Sequence, residues 1–97
     1  MELNKNDLNF LQKFFADKPV KRAFLFGSYA RGEANAESDL DLLVELDYSK
    51  HIGLGFVGMK LELEEKLHKK IDLVSEKGIS PHILPFINQD KLLIYEK

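Results

Sequence analysis

Residues 22–46, RAFLFGSYARGEANAESDLDLLVEL, constrain the fold more than any other part of this chain. An apolar run, Ala23-Phe24-Leu25-Phe26, stops at Gly27-Ser28; a small-residue segment follows, and then an alternating run carries Asp39 and Asp41. The order predicts a strand that delivers a Gly-Ser turn, a short helix, and a second strand. Side chains alternate along a strand, so Asp39 and Asp41 share one face while Leu40, Leu42, Val44 and Leu46 take the other. Two carboxylates held side by side at ~4 Å repel by about 4 kcal/mol at an effective dielectric near 20. A fold has little reason to carry that cost without a metal ion, a proton or a basic partner.

The flanking segments place this stretch in an α/β domain. Leu8, Leu11, Phe14 and Phe15 recur at helical spacing, with Asn4 or Asn6 as N-cap and Pro19 just past the end. Val20–Phe26 reads as the first strand, and Ser28–Glu33 as a helical turn closed near Gly32. Asp39–Leu46 reads as the second strand. Ile52, Phe56, Met59, Leu63 and Leu67 mark one face of a helix running to about Lys70. Gly53, Gly55 and Gly58 weaken its start by up to ~1 kcal/mol each, and the apolar residues around Phe56 and Met59 read as core. Ile71–Ser75 is a third strand, Pro81 opens a short helix, and Leu92–Tyr95 is a final extended piece. The expected architecture is a single domain over 1–97, α/β, with a three- to four-stranded mixed sheet flanked by helices.

Composition narrows the setting. A net charge of −2 gives no general attraction to nucleic acid or to an anionic membrane, so neither is an expected partner. Any anionic substrate must be held locally. The absence of cysteine excludes disulfides and thiolate zinc sites. The start MELNKNDLNF lacks an apolar signal-peptide core, and no run approaches the ~20 residues of a bilayer span. A cytoplasmic location is the expectation.

The chemistry rests on Gly27-Ser28, ten intervening residues, Asp39-x-Asp41, and a third acidic strand residue, Asp72. Each piece is common alone. Together, with Ala30-Arg31-Gly32 between them and Ser38-Asp39-Leu40-Asp41-Leu42 closing the run, they resemble the signature of the nucleotidyltransferase superfamily that includes DNA polymerase beta. The resemblance is closest to the minimal nucleotidyltransferases, the MNT or MntA-like antitoxins, and implies the polymerase beta-like nucleotidyltransferase fold. It also implies roles. Gly27 and Ser28 would hold the β- and γ-phosphates of a nucleoside triphosphate, with ATP the expected substrate. Asp39, Asp41 and Asp72 would be the catalytic, metal-holding residues for two Mg²⁺ ions, and Asp72 would help deprotonate the acceptor hydroxyl. In that family the acceptor is a tyrosine of a HEPN-domain toxin, which is silenced by adenylylation.

The residue types suit that chemistry. Mg²⁺ prefers oxygen ligands and is commonly held by a few carboxylates plus substrate phosphates. Two such ions ~3.5–4 Å apart stabilise both ends of an in-line displacement. Gly27 would let the phosphate chain approach the backbone, where amides of the following helix and the Ser28 hydroxyl donate.

Other readings stand beside this one. Arg31 either reaches triphosphate oxygens or pairs with Glu33 or Glu37. His51, His68 and His82 share no metal-ligand spacing. The acceptor could be a small-molecule hydroxyl bound by a separate chain, or the protein could be a non-catalytic antitoxin that occludes its partner. Larger relatives add a domain that builds the acceptor pocket. Only 25 residues follow Asp72 here, so the acceptor is expected to arrive as a folded partner.

Overall fold

The computed structural model describes residues 3–97. Helix α1, Lys5–Ala16, starts where the Asn4 side chain accepts the Asp7 amide at 2.7 Å. It buries Leu11, Phe14 and Phe15, the apolar stripe expected of it. Strand β1, Val20–Phe26, runs into the one-and-a-half-turn helix α2, Gly27–Arg31, which ends at Gly32 in the left-handed conformation (φ +72°). Strand β2 is Leu40–Leu46, helix α3 Gly55–Leu67 and strand β3 Ile71–Ser75. A 3-10 turn at Glu76–Gly78 leads to helix α4, Leu84–Asp90, and strand β4, Leu92–Glu96.

The sheet is four-stranded and mixed, in the order β3-β2-β1-β4. β1 lies antiparallel to β2 and β4, whereas β2 and β3 run parallel through the crossover helix α3. One face packs on α1 and α3, burying Leu40, Leu42 and Val44 of β2 with Leu11, Phe15, Leu63 and Ile71. The other face carries a smaller cluster in which Phe24 and Leu43 meet Ile87 of α4. Among the described residues no charged or polar residue is fully buried.

Several expectations need correction. β2 begins at Leu40, where the Leu40 amide bonds to the Lys70 carbonyl at 2.9 Å, so Asp39 stands just ahead of the strand. α3 spans Gly55–Leu67 and stops because His68 turns left-handed (φ +54°). α4 begins at Leu84 with Pro85 in its first turn; Pro81 belongs to the preceding turn. The apolar residues of α3 are also divided. Met59 and Leu63 are core, but Val57 and Leu61 face outward, as does Leu54 just ahead of the helix.

Candidate functional site

The site forms where β1 ends, β2 and β3 begin, and α2 starts. Register places Phe26 opposite Asp41 on β1 and β2, and Asp41 beside Asp72 on β2 and β3. The parallel β2–β3 pairing is what brings together two residues 31 positions apart in the chain. Both lie on the face opposite the large core, with Leu40, Leu42, Ile71 and Leu73 buried beneath them.

Gly27 is required at its position for two reasons. Its φ of +72° lies in the region that penalises a Cβ by roughly 1–2 kcal/mol. A Cβ there would also overlap Asp41 Oδ2. The space beside this glycine therefore admits the Asp41 carboxylate against the turn, a role the sequence alone did not suggest. The turn itself is anchored from below, because Tyr29 of α2 is buried in the large core. Phe26, the N-cap of α2, supplies no side-chain acceptor for the helix's first amides.

Asp41 is the most perturbed group of the site. Partial burial, the negative charges of Asp72 and Asp39, and a hydrogen bond with Asp72 push its carboxyl up to about 6, with Arg31 acting in the opposite direction. Protonated Asp41 donates to Asp72; once it ionises, the two carboxylates repel. Asp72 is solvent-exposed and Asp39 half-buried. Among the described residues, no three His, Asp or Glu side chains stand together as a ready-made metal site. The Asp41–Asp72 pair nonetheless fits a hard divalent cation. It offers adjacent carboxylate oxygens, and a cation between them would take the place of the shared proton.

Arg31, the last residue of α2, pairs with two carboxylates. Its Nε donates to Glu33 Oε1 at 2.8 Å, and its Nη1 to Asp90 Oδ2, at the end of α4, at 3.0 Å. Of the two partners anticipated, Glu33 is therefore found and Glu37 is not. Asp90 went unforeseen, since nothing local signals a contact across 59 positions. Phe26, Gly27, Arg31, Ile83, Phe86, Ile87 and Asp90 enclose a cleft of about 190 Å³ between the turn and α4. The α4 wall of this cleft was also missed. Ser28 is half-buried within α2.

A nucleotidyltransferase domain family matches residues 8–94, nearly the whole chain. The chain belongs to that family. Its relatives include a Methanocaldococcus jannaschii protein that carries a protein adenylyltransferase name, 40% identical over 87% of this nucleotidyltransferase and 85% of that protein. A second protein of that organism, with the same type of name, is 48% identical over 64% of this chain and 66% of its own. The protein adenylyltransferase MntA of Thermococcus cleftensis is 36% identical over 66% of this chain and 64% of its own.

Solved structures agree on the fold. One described as a minimal nucleotidyltransferase superposes with a TM-score of 0.77 at 33% identity, over 91% of this chain and 89% of that one. A toxin–antitoxin complex with AMP-PNP gives 0.80 at 20% identity, over 94% and 74%. A tri-AMPylated Shewanella oneidensis HEPN toxin in complex with its MNT antitoxin gives 0.74 at 18% identity, over 98% and 74%. This nucleotidyltransferase is thus an α/β protein with a four-stranded mixed sheet, of the minimal type. Among the described residues, no helix is long and apolar enough to cross a membrane.

Proposed function

We propose that this protein moves AMP from ATP to a hydroxyl of a partner protein, a tyrosine of a HEPN-type toxin, and thereby acts as its antitoxin. It would work in the cytoplasm as one minimal domain over 1–97. The observation that carries the reading is the Asp41–Asp72 pair, set in register on parallel strands against the Gly27 turn. Charged groups that lack a cation at the exposed end of a sheet cost stability, and a function that needs them explains their presence. The relatives' adenylyltransferase names and the neighbours' toxin–antitoxin complexes point the same way.

In this reading, Gly27 and Ser28 seat the β- and γ-phosphates, and Asp39, Asp41 and Asp72 hold two Mg²⁺ ions. When bound, the ions offset charge on the attacking and leaving oxygens. The acceptor oxygen forms a bond to the α-phosphorus as the bond to the pyrophosphate oxygen breaks. The hydroxyl proton leaves toward Asp72, which is exposed to an incoming partner. Asp41 must be ionised to take part, and its metal-free carboxyl is raised to about 6, so Mg²⁺ competes with a proton there and its binding weakens as pH falls through that region.

The test incubates the protein with its candidate HEPN partner, Mg²⁺ and ATP labelled at the α-phosphate. Label on the partner with wild type but not with Asp41→Asn is the expected outcome, and conversion of the acceptor tyrosine to phenylalanine removes it. Label appearing only in a small molecule would instead establish a small-molecule transferase. Absence of label with all four nucleotides, together with inhibition of the partner by complex formation, would establish an occluding antitoxin.

A further inference from the structure

We propose that Asp90 is a positioning residue, holding the Arg31 guanidinium from α4 so that its remaining nitrogen, Nη2, meets the polyphosphate of the incoming nucleotide. The inference rests on the nucleotidyltransfer reading above. It begins with how Arg31 is held. Carboxylates from two separate segments, Glu33 just past α2 and Asp90 at the end of α4, engage Nε and Nη1 at 2.8 and 3.0 Å. A planar guanidinium fixed at two of its nitrogens has a defined orientation, whereas a single contact would leave it free to swing. Nη2 has no hydrogen-bond partner among the described residues, so one guanidinium nitrogen is open to an anion.

Location makes that open nitrogen relevant. Arg31 and Gly27 line the same cleft, so the guanidinium stands beside the turn proposed to seat the phosphates. Arg22 provides the contrast. Among the described residues it pairs with Glu45, at 2.7 Å across β1 and β2, lines no part of this cleft, and is the kind of surface pair that contributes little. Asp90 differs because it ties the phosphate-turn helix to α4, which also forms the cleft's far wall.

A double-mutant cycle tests the assignment, with Mg²⁺-ATP turnover and Mg²⁺-tripolyphosphate binding as readouts. Asp90→Ala should raise the KM for ATP about three- to fivefold, the range of an exposed charge pair, with kcat changed less than about twofold. Tripolyphosphate affinity should fall by the same factor, and Asp90→Glu should restore most of both. In an Arg31→Ala background, Asp90→Ala should then add nothing. Additive effects in the cycle, or an unchanged or lowered KM in Asp90→Ala, would overturn the proposal. Tripolyphosphate binding separates its failure from that of the parent reading. A protein that binds polyphosphate with the expected cycle, yet transfers no nucleotide, would refute nucleotidyl transfer and keep the role of Asp90. A wild type that transfers nucleotide with an additive cycle would do the reverse.

Discussion

The two faces of the sheet are built on opposite principles. On one, α1 and α3 cover Leu40, Leu42, Val44 and Ile71, and the facing side chains are apolar throughout. On the other, only the middle is covered, by Ile87 over Phe24 and Leu43, and the end left open carries Asp41 and Asp72. The same two strands serve both faces because alternation separates their side chains residue by residue. The first face supplies the apolar burial that holds the domain together. The second is held in place by the first and tolerates a destabilising arrangement at its open end. Stability and chemistry thus sit on opposite sides of β2 and β3.

The largest effect is expected where the comparison can be broken from the stable side. Leu63 is completely buried in the large core, so Leu63→Ala should cost about 2–5 kcal/mol. That is a large share of the total for a domain of this size, which is of order 5–15 kcal/mol. Denaturant unfolding with an unchanged m-value would register it. Gly27→Ala comes next, because it imposes a left-handed penalty and a collision with Asp41 together. A loss of about 1–3 kcal/mol is expected. Since the collision is with a carboxylate of the site, nucleotide binding should fall further than stability does. Combining Gly27→Ala with Asp41→Gly should recover part of the stability and none of the binding.

A pH series sharpens the contrast. The folded carboxyl of Asp41 titrates at about 6, above its ordinary value of 3.8, so the folded state holds this proton more tightly than the unfolded chain. Its cost to stability is absent below about pH 4, grows between about 4 and 6, and is complete above that. Asp41→Asn should therefore stabilise the metal-free protein at pH 7.5 by about 1 kcal/mol after allowance for solvent screening, with the gain disappearing toward pH 4. A gain of that size raises Tm by roughly 4–8 °C in a domain this small. The smallest effect is expected at Arg22. Its exposed pair with Glu45 contributes about 0–1 kcal/mol, so Arg22→Gln should lower Tm by no more than that same range of roughly 4–8 °C and leave turnover unaltered.

Much of this organisation was legible in the sequence, and the parts that were not share a physical cause. The limits of β1 and β3, an asparagine cap at the start of α1 and the Gly32 terminus follow from local signals: alternation, side-chain capping, and the ease with which glycine turns left-handed. The members of the acidic pair were legible, Asp41 from the Asp-x-Asp beside a Gly-Ser turn and Asp72 from the strand over Ile71–Ser75, but the register that joins them was not. What escaped depends on contacts distant in the chain. Leu43 is buried because α4 folds over it, so the one-sided alternation read for β2 missed a second small core. Asp90 is attached to the site only through the path of α4 across the sheet. Gly27 was read as making room for phosphate; that Asp41 from the neighbouring strand lies where its Cβ would be was not foreseen. Register between strands decided that point, and single-strand patterns do not encode it.

The most direct measurement of the central claim, that the open end of the sheet gives up stability to hold a cation and a nucleotide, is a melting comparison of wild type and Asp41→Asn at pH 7.5. Each would be measured alone and with Mg²⁺ plus a non-hydrolysable ATP analogue. Asp41→Asn is expected to melt higher than wild type when both are ligand-free. The ligands should then raise the wild type, further as their concentration climbs above Kd, and leave Asp41→Asn where it was. An Asp41→Asn protein that melts lower without ligand, or a wild type indifferent to Mg²⁺ and nucleotide, would contradict the account.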